Sequence, residues 1–139
     1  MTCFMCSIDQ GAIVAENDLA LAFQDSFPVS PGHTLVITRR HTRDWFQATR
    51  DEQVAILDLV NEVKKQLDDQ LHPDGYNIGF NAGQAAGQTI PHLHLHVIPR
   101  FEGDVDDPTG GVRLVIPDKG NYRRPGFVPR SVEVDQQHD

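Results

Sequence analysis

The chain has 139 residues, 39% of them apolar, and a formal net charge of −8 at neutral pH. This size and apolar share suit one small folded domain rather than a disordered chain. The acidic balance argues against a nucleic-acid partner, whose phosphates need Lys and Arg, and no apolar run approaches the ~18 residues of a membrane span.

The opening Met1-Thr2-Cys3-Phe4-Met5-Cys6 lacks the basic and apolar regions of a signal peptide, so a cytoplasmic protein is expected. Both cysteines fall in that segment. In a reducing compartment a Cys-x-x-Cys pair points to metal binding or redox activity before a structural disulfide. Strands are expected at 12–16 and 19–24, around the hairpin signal Asn17-Asp18. Pro28, Pro31 and Gly32 then break the chain. Another strand follows at 33–38, centred on Leu35-Val36-Ile37, and a short helical turn at 41–47.

Thr49 and Glu52 have capping-box spacing at the start of a long helix. Val54, Leu57, Val60, Val63, Leu67 and Leu71 supply its apolar stripe, and Pro73 and Gly75 end it. Such a helix is about 30 Å long, enough to cover one face of a sheet. A strand at 76–81, a Gly- and Ala-rich loop at 82–88 and a strand at 92–98 complete the core. Beyond Phe101 the chain is irregular, with Asp104, Asp106 and Asp107 in a loop and a short strand possible at 112–116. Mostly strands with short connections imply an α+β fold: an antiparallel sheet of about five strands, one long helix and a short one. The domain reading is a single unit over 1–139, with a core at about 3–100 and an irregular extension over 101–139.

The segment Pro91-His92-Leu93-His94-Leu95-His96-Val97-Ile98-Pro99 carries the chemistry. Successive strand residues point to opposite faces, so three imidazoles share one face, about 7 Å apart, while Leu93, Leu95 and Val97 face a core. Three imidazoles can bind a metal, or act as nucleophile and acid–base groups without one; spacing leaves both open. The preceding Gly83-Gln84-Ala85-Ala86-Gly87-Gln88-Thr89 has glycines that let backbone N–H groups approach an anion. It is not a P-loop, because no Lys follows the second Gly. Gln88 and Thr89 offer uncharged hydrogen bonds beside the imidazoles. From 113 to 130, Arg113, Lys119, Arg123, Arg124 and Arg130 face only Asp118, a positive segment that is either a solvated tail or a rim for a phosphorylated ligand.

The run from Gly87 to Arg100 closely resembles the signature of the histidine triad (HIT) family, in which single hydrophobic residues separate the histidines. Pro31–Ile37 and Asn81 also look like the family. The resemblance implies a nucleotide hydrolase or transferase acting on a purine nucleotide or dinucleotide. His94 would attack the α-phosphorus, giving a nucleotidyl-histidine that water hydrolyses, and His96 would stabilise the phosphate charge. Gln88 and Thr89 would bond the phosphate or leaving group, and Asn81 would position phosphate. His33 would support the triad from behind. Asp25 would hold the ribose, with apolar neighbours on the base.

Some members of the family carry zinc on two cysteines and two histidines, a pattern that Cys3, Cys6, His41 and His92 fit. A closed structural zinc site and no organic cofactor are therefore expected. Ile98-Pro99-Arg100 and Thr89 look more like the branch that hydrolyses dinucleoside polyphosphates than the nucleoside phosphoramidase branch, whose Trp-containing C-terminus is absent. A non-catalytic nucleotide-binding module is the reading from a different class. The resemblance further implies a homodimer whose two sheets join into one.

Overall fold

The computed structural model describes residues Thr2–Arg130. They form two compact units, divided between Asp104 and Val105. The first holds β1 (Ile13–Glu16), β2 (Ala20–Gln24), β3 (Thr34–Thr38), α1 (Arg50–Leu71), β4 (Gly75–Phe80) and β5 (His94–Arg100). The strands make one antiparallel sheet in the order β1-β2-β3-β5-β4, so β4 and β1 are its edges.

Alternation along the strands builds two faces. Ala20, Ala22, Val36, Leu95 and Val97 lie under α1 with Ala55, Ile56, Leu59, Val63 and Leu67. Leu21, Phe23, Leu35 and Ile37 form the opposite face with Met5. Leu35 pairs with His96 and Ile37 with His94, which puts both imidazoles on that second face.

The capping box forms as expected. Thr49 Oγ1 accepts from the Glu52 N–H at 3.1 Å, and Glu52 Oε1 accepts from the Thr49 N–H at 2.9 Å. Arg40 also bonds both Glu52 oxygens, at 2.7 and 3.2 Å, and holds that carboxyl below its usual range. Only part of the expected stripe is buried: Val63 and Leu67 lie in the core and Val60 packs against it. Val54 and Leu57 are about half exposed, and Ala55, Ile56 and Leu59 take their places against the sheet. Residues at strict spacing of three drift around a helix of 3.6 residues per turn, so 54, 57, 60 and 63 cannot share one face.

Gly32 shows why the turn before β3 needs glycine. Its φ is +83°, and a Cβ there would lie 2.7 Å from Leu71 Cδ1 and 2.8 Å from Leu67 Cδ2. The expected short helix at 41–47 is a 3₁₀ turn over Trp45–Gln47. Its start is capped by the Asp44 carboxylate, which accepts from the Phe46 and Gln47 N–H groups.

The second unit contains a 3₁₀ turn, Gly111–Val115, and the short helix α2 (Pro117–Gly120). The strand expected at 112–116 is therefore replaced by this turn. Gly110 at φ +103° bends the chain, and Arg113 Nε donates to the Gly120 carbonyl at 3.0 Å. The last part of the expected irregular extension, 131–139, lies outside the described residues. No helix among the described residues is long and apolar enough to cross a membrane.

Candidate active site

β5 begins at His94, two residues later than the sequence pattern implies. His92 lies ahead of the strand, where the Leu93 N–H donates to the Thr42 carbonyl at 2.7 Å. The three imidazoles therefore do not form one row. His92 turns to the N-terminal cysteines, while His94 and His96 stay together with ring centres 5.3 Å apart. Leu93, Leu95 and Val97 are buried under α1 as expected.

His94 is 8% exposed, and its Nδ1–H donates to the carbonyl of His92 at 2.7 Å. The bond at one ring nitrogen decides the state of the other, so His94 Nε2 carries a free lone pair. A backbone carbonyl thus decides which ring nitrogen of His94 is left free.

A chain of three groups sets His96 in the opposite sense. The Val29 N–H donates to His33 Nδ1 at 3.2 Å, so His33 carries its proton on Nε2. That Nε2–H donates to His96 Nδ1 at 2.9 Å. His96 must then hold its own proton on Nε2, where it is a neutral donor. Burial, with His94 and His33 adding to it, pushes the His96 pKa down to about 4. Burial also lowers the pKa of His33, against the pull of Asp25. The 3.5 Å contact of Asp25 Oδ2 with His33 Nε2 is therefore not an ion pair at neutral pH.

Asp25, His33 and His96 have the spacing of a metal ligand set. The Val29 bond argues against that use, because it keeps the proton on the nitrogen that a metal would need.

His94 and His96 open into a cleft of about 320 Å³. Asp25, Asn81 and Thr89 line it, with Phe4, Met5, Phe23, Phe27, Leu35 and Ile90 as apolar wall. Asp25 is fixed by the Phe27 N–H, which donates to its Oδ1 at 2.9 Å. Phe4 and Met5 escaped the sequence reading, although their place between two candidate ligands was a signal. Fixing the cysteines fixes whatever lies between them.

Gln88 is placed differently from expectation. Its Nε2 donates to the carbonyls of Arg43, at 2.6 Å, and Ile90, at 3.0 Å, while its Oε1 accepts from the Gly83 N–H. The side chain staples the loop instead of entering the cleft. The loop also spends its own donors. The N–H groups of Gly87 and Gln88 bond the carbonyls of Gln84 and Gly83, and that of Ala86 bonds Gly83. Arg100 is likewise engaged away from the cleft, by Asp104 and Asn77.

The second cluster brings Cys3, Cys6, His41 and His92 together, with one ligand atom from each within 4.8 Å of the others. His92 Nε2–H donates to the Thr38 carbonyl at 2.7 Å, which leaves Nδ1 unprotonated at 3.4 Å from Cys3 Sγ and 3.6 Å from Cys6 Sγ. His41 Nδ1 lies 3.3 Å from Cys6 Sγ. A ligating histidine held from behind by a carbonyl, beside two thiols, is a donor set that suits a tetrahedral metal ion.

With both clusters defined, comparison with known proteins gives a consistent result. The HIT domain family model matches residues 9–103. The chain belongs to the HIT family. It is 38% identical over 104 residues to adenosine 5'-monophosphoramidase hnt1 of Schizosaccharomyces pombe, covering 72% of this chain and 75% of that one. It is 30% identical over 112 residues to the AP-4-A phosphorylase of Mycobacterium tuberculosis, covering 78% of this chain and 57% of that one. A Zn-bound histidine triad family protein from Mycobacterium smegmatis superposes with a TM-score of 0.68 at 33% identity, covering 82% of this chain and 90% of that one.

Proposed function

We propose that this HIT protein is a nucleotide hydrolase that works through a nucleotidyl-histidine on His94, with a dinucleoside polyphosphate of the diadenosine tetraphosphate type as substrate. The observation that carries this reading is the His94 Nδ1–H bond to the His92 carbonyl, which leaves Nε2 as a nucleophile beside the cleft.

In the first step Nε2 forms a bond to the α-phosphorus and the bond to the leaving phosphate breaks. In the second, water forms the new P–O bond and the N–P bond breaks, releasing a nucleoside monophosphate. His96 Nε2–H donates to the phosphate oxygens on which charge develops, a preorganised donor of the kind that dominates such transfers. Asp25 accepts from the ribose hydroxyls, and Phe23, Phe27 and Leu35 pack on the base. Asn81 and Thr89 supply further bonds to the phosphates, while Gln88 contributes by holding the loop. A nucleoside phosphoramidate is the second reading, favoured by the 38% identity to a named phosphoramidase.

Cys3, Cys6, His41 and His92 would hold a structural zinc ion, whose chemistry here is to tie the N-terminal segment, and with it Phe4 and Met5, to the sheet. A homodimer fits the edge strand β4, Gly-Tyr-Asn-Ile-Gly-Phe, which has neither charge nor proline to block pairing. Ile78→Lys should convert a dimer to monomer in light scattering; a monomeric wild type at micromolar concentration contradicts the dimer.

The enzymatic reading is tested by AMP release from diadenosine tetraphosphate and adenosine phosphoramidate, side by side. Release by the wild type and not by His94→Ala supports it, and the faster substrate names the branch. No release from either substrate, with nucleotide still bound, supports a binding module instead.

A further inference from the structure

The cleft has a charge problem. Among the described residues no Lys or Arg lines it, and the one charged side chain of these that does is the carboxylate of Asp25. His96 is neutral at pH 7. The loop N–H groups of Gly83, Ala86, Gly87 and Gln88 are already bonded within the loop. A polyphosphate of several negative charges needs a cation, and these residues supply none.

Most cations of the first unit are committed. Arg39 pairs with Glu16, Arg40 with Glu52, Lys64 with Asp68 and Arg100 with Asp104. Arg50 and Lys65 belong to α1, which covers the sheet face opposite the cleft. Arg43 differs from all of these. Its side chain is exposed and enters none of the ion pairs, and its carbonyl is held 2.6 Å from Gln88 Nε2. Gln88 sits between Gly87 and Thr89, which both line the cleft. The staple therefore anchors the Arg43 backbone beside the loop, and its exposed side chain extends from that anchor.

We infer that Arg43 binds the phosphates beyond the α-phosphate and makes this site select nucleotides with a polyphosphate leaving group over those with a small neutral one. The inference rests on the nucleotide reading of the cleft. A planar guanidinium suits phosphate oxygens bidentately, and its removal leaves the α-phosphate and base contacts in place. Arg43 acts as a specificity residue, apart from the groups that make and break bonds.

The test is equilibrium binding of adenosine 5'-tetraphosphate and of AMP to the His94→Ala protein, with and without Arg43→Gln. The expected result is a roughly 10- to 100-fold rise in the ratio of the two dissociation constants, the range for losing a charge-assisted hydrogen bond. Arg50→Gln should leave the ratio where it was. The AMP constant reports an intact fold in every variant. An unmoved ratio in Arg43→Gln overturns the inference. So does an equal shift in Arg50→Gln, which makes the effect a general field, or a shift only in Arg123→Gln/Arg124→Gln, which moves the role to the second unit. Failure of the wild type to release AMP overturns the hydrolase reading separately, because the binding ratio needs no turnover.

Discussion

His92 and His94 are two residues apart, yet their surroundings have little in common. His92 is fully buried, with Nε2 on a backbone carbonyl and Nδ1 toward two thiols. His94 has Nδ1 on a backbone carbonyl and Nε2 free beside a cleft. The difference comes from where the strand begins: β5 starts at His94, so the chain turns His92 out of the row. One hydrogen bond joins the two regions, since the carbonyl that His94 uses belongs to His92. On the proposed reading one cluster holds the chain still and the other reacts, and the second depends on the backbone of the first.

The largest expected effect separates them outright. His94→Ala should lower turnover by on the order of a thousandfold or more, the scale for losing a nucleophile, while metal content measured by atomic absorption stays that of the wild type. Parallel loss of metal would collapse the distinction. The converse change, Cys3→Ser, should abolish metal binding and lower the thermal midpoint by roughly 5–10 °C. An unchanged midpoint in the metal-stripped protein would show that the thiol cluster holds nothing in place.

His33 reaches the reactive side through its relay alone. His33→Ala should cost about tenfold in kcat, because His96 loses the bond that holds its proton on Nε2, whereas His33→Gln, which keeps an N–H donor, should retain most of the activity; neither changes metal content. A further test uses pH. The folded pKa values of His96, about 4, and of His33 lie below the ordinary value of 6.5. Below pH 6.5 the unfolded chain then binds protons that the folded chain refuses. Stability is full above that pH and falls as pH drops from 6.5 toward 4. Urea midpoints across this window should decline with pH in metal-free protein; a flat profile would mean that these rings are not buried as neutral groups. The smallest effect is a control. Thr49→Ala should cost about 1 kcal/mol of stability through the lost cap, with metal content and kcat/KM unaltered.

The sheet, the long helix and the pair of histidines at the cleft were legible because each leaves a local pattern. Alternation marks strands, Thr49 with Glu52 marks the helix start, and the histidine run marks the site. What was illegible depends on pairing in three dimensions. Nothing local told that Leu57 faces outward and Ile56 inward, since several apolar sets fit the same segment. Gln88 read as a phosphate donor because it sits beside the histidines, but a glutamine with three partners on the loop and the 43–90 neighbourhood is a staple. The tautomer of His96 depends on the Val29 N–H, 67 positions away in sequence by the numbering and silent as a side chain.

The most direct measurement is to quench the wild-type protein in alkaline denaturant, which preserves a histidine–phosphorus bond, during turnover of diadenosine tetraphosphate and map any covalently attached AMP by mass spectrometry. Attachment to His94, absent in His94→Ala, is the result predicted by a free Nε2 prepared by the His92 carbonyl. AMP on another residue, or turnover that persists in His94→Ala, would contradict it.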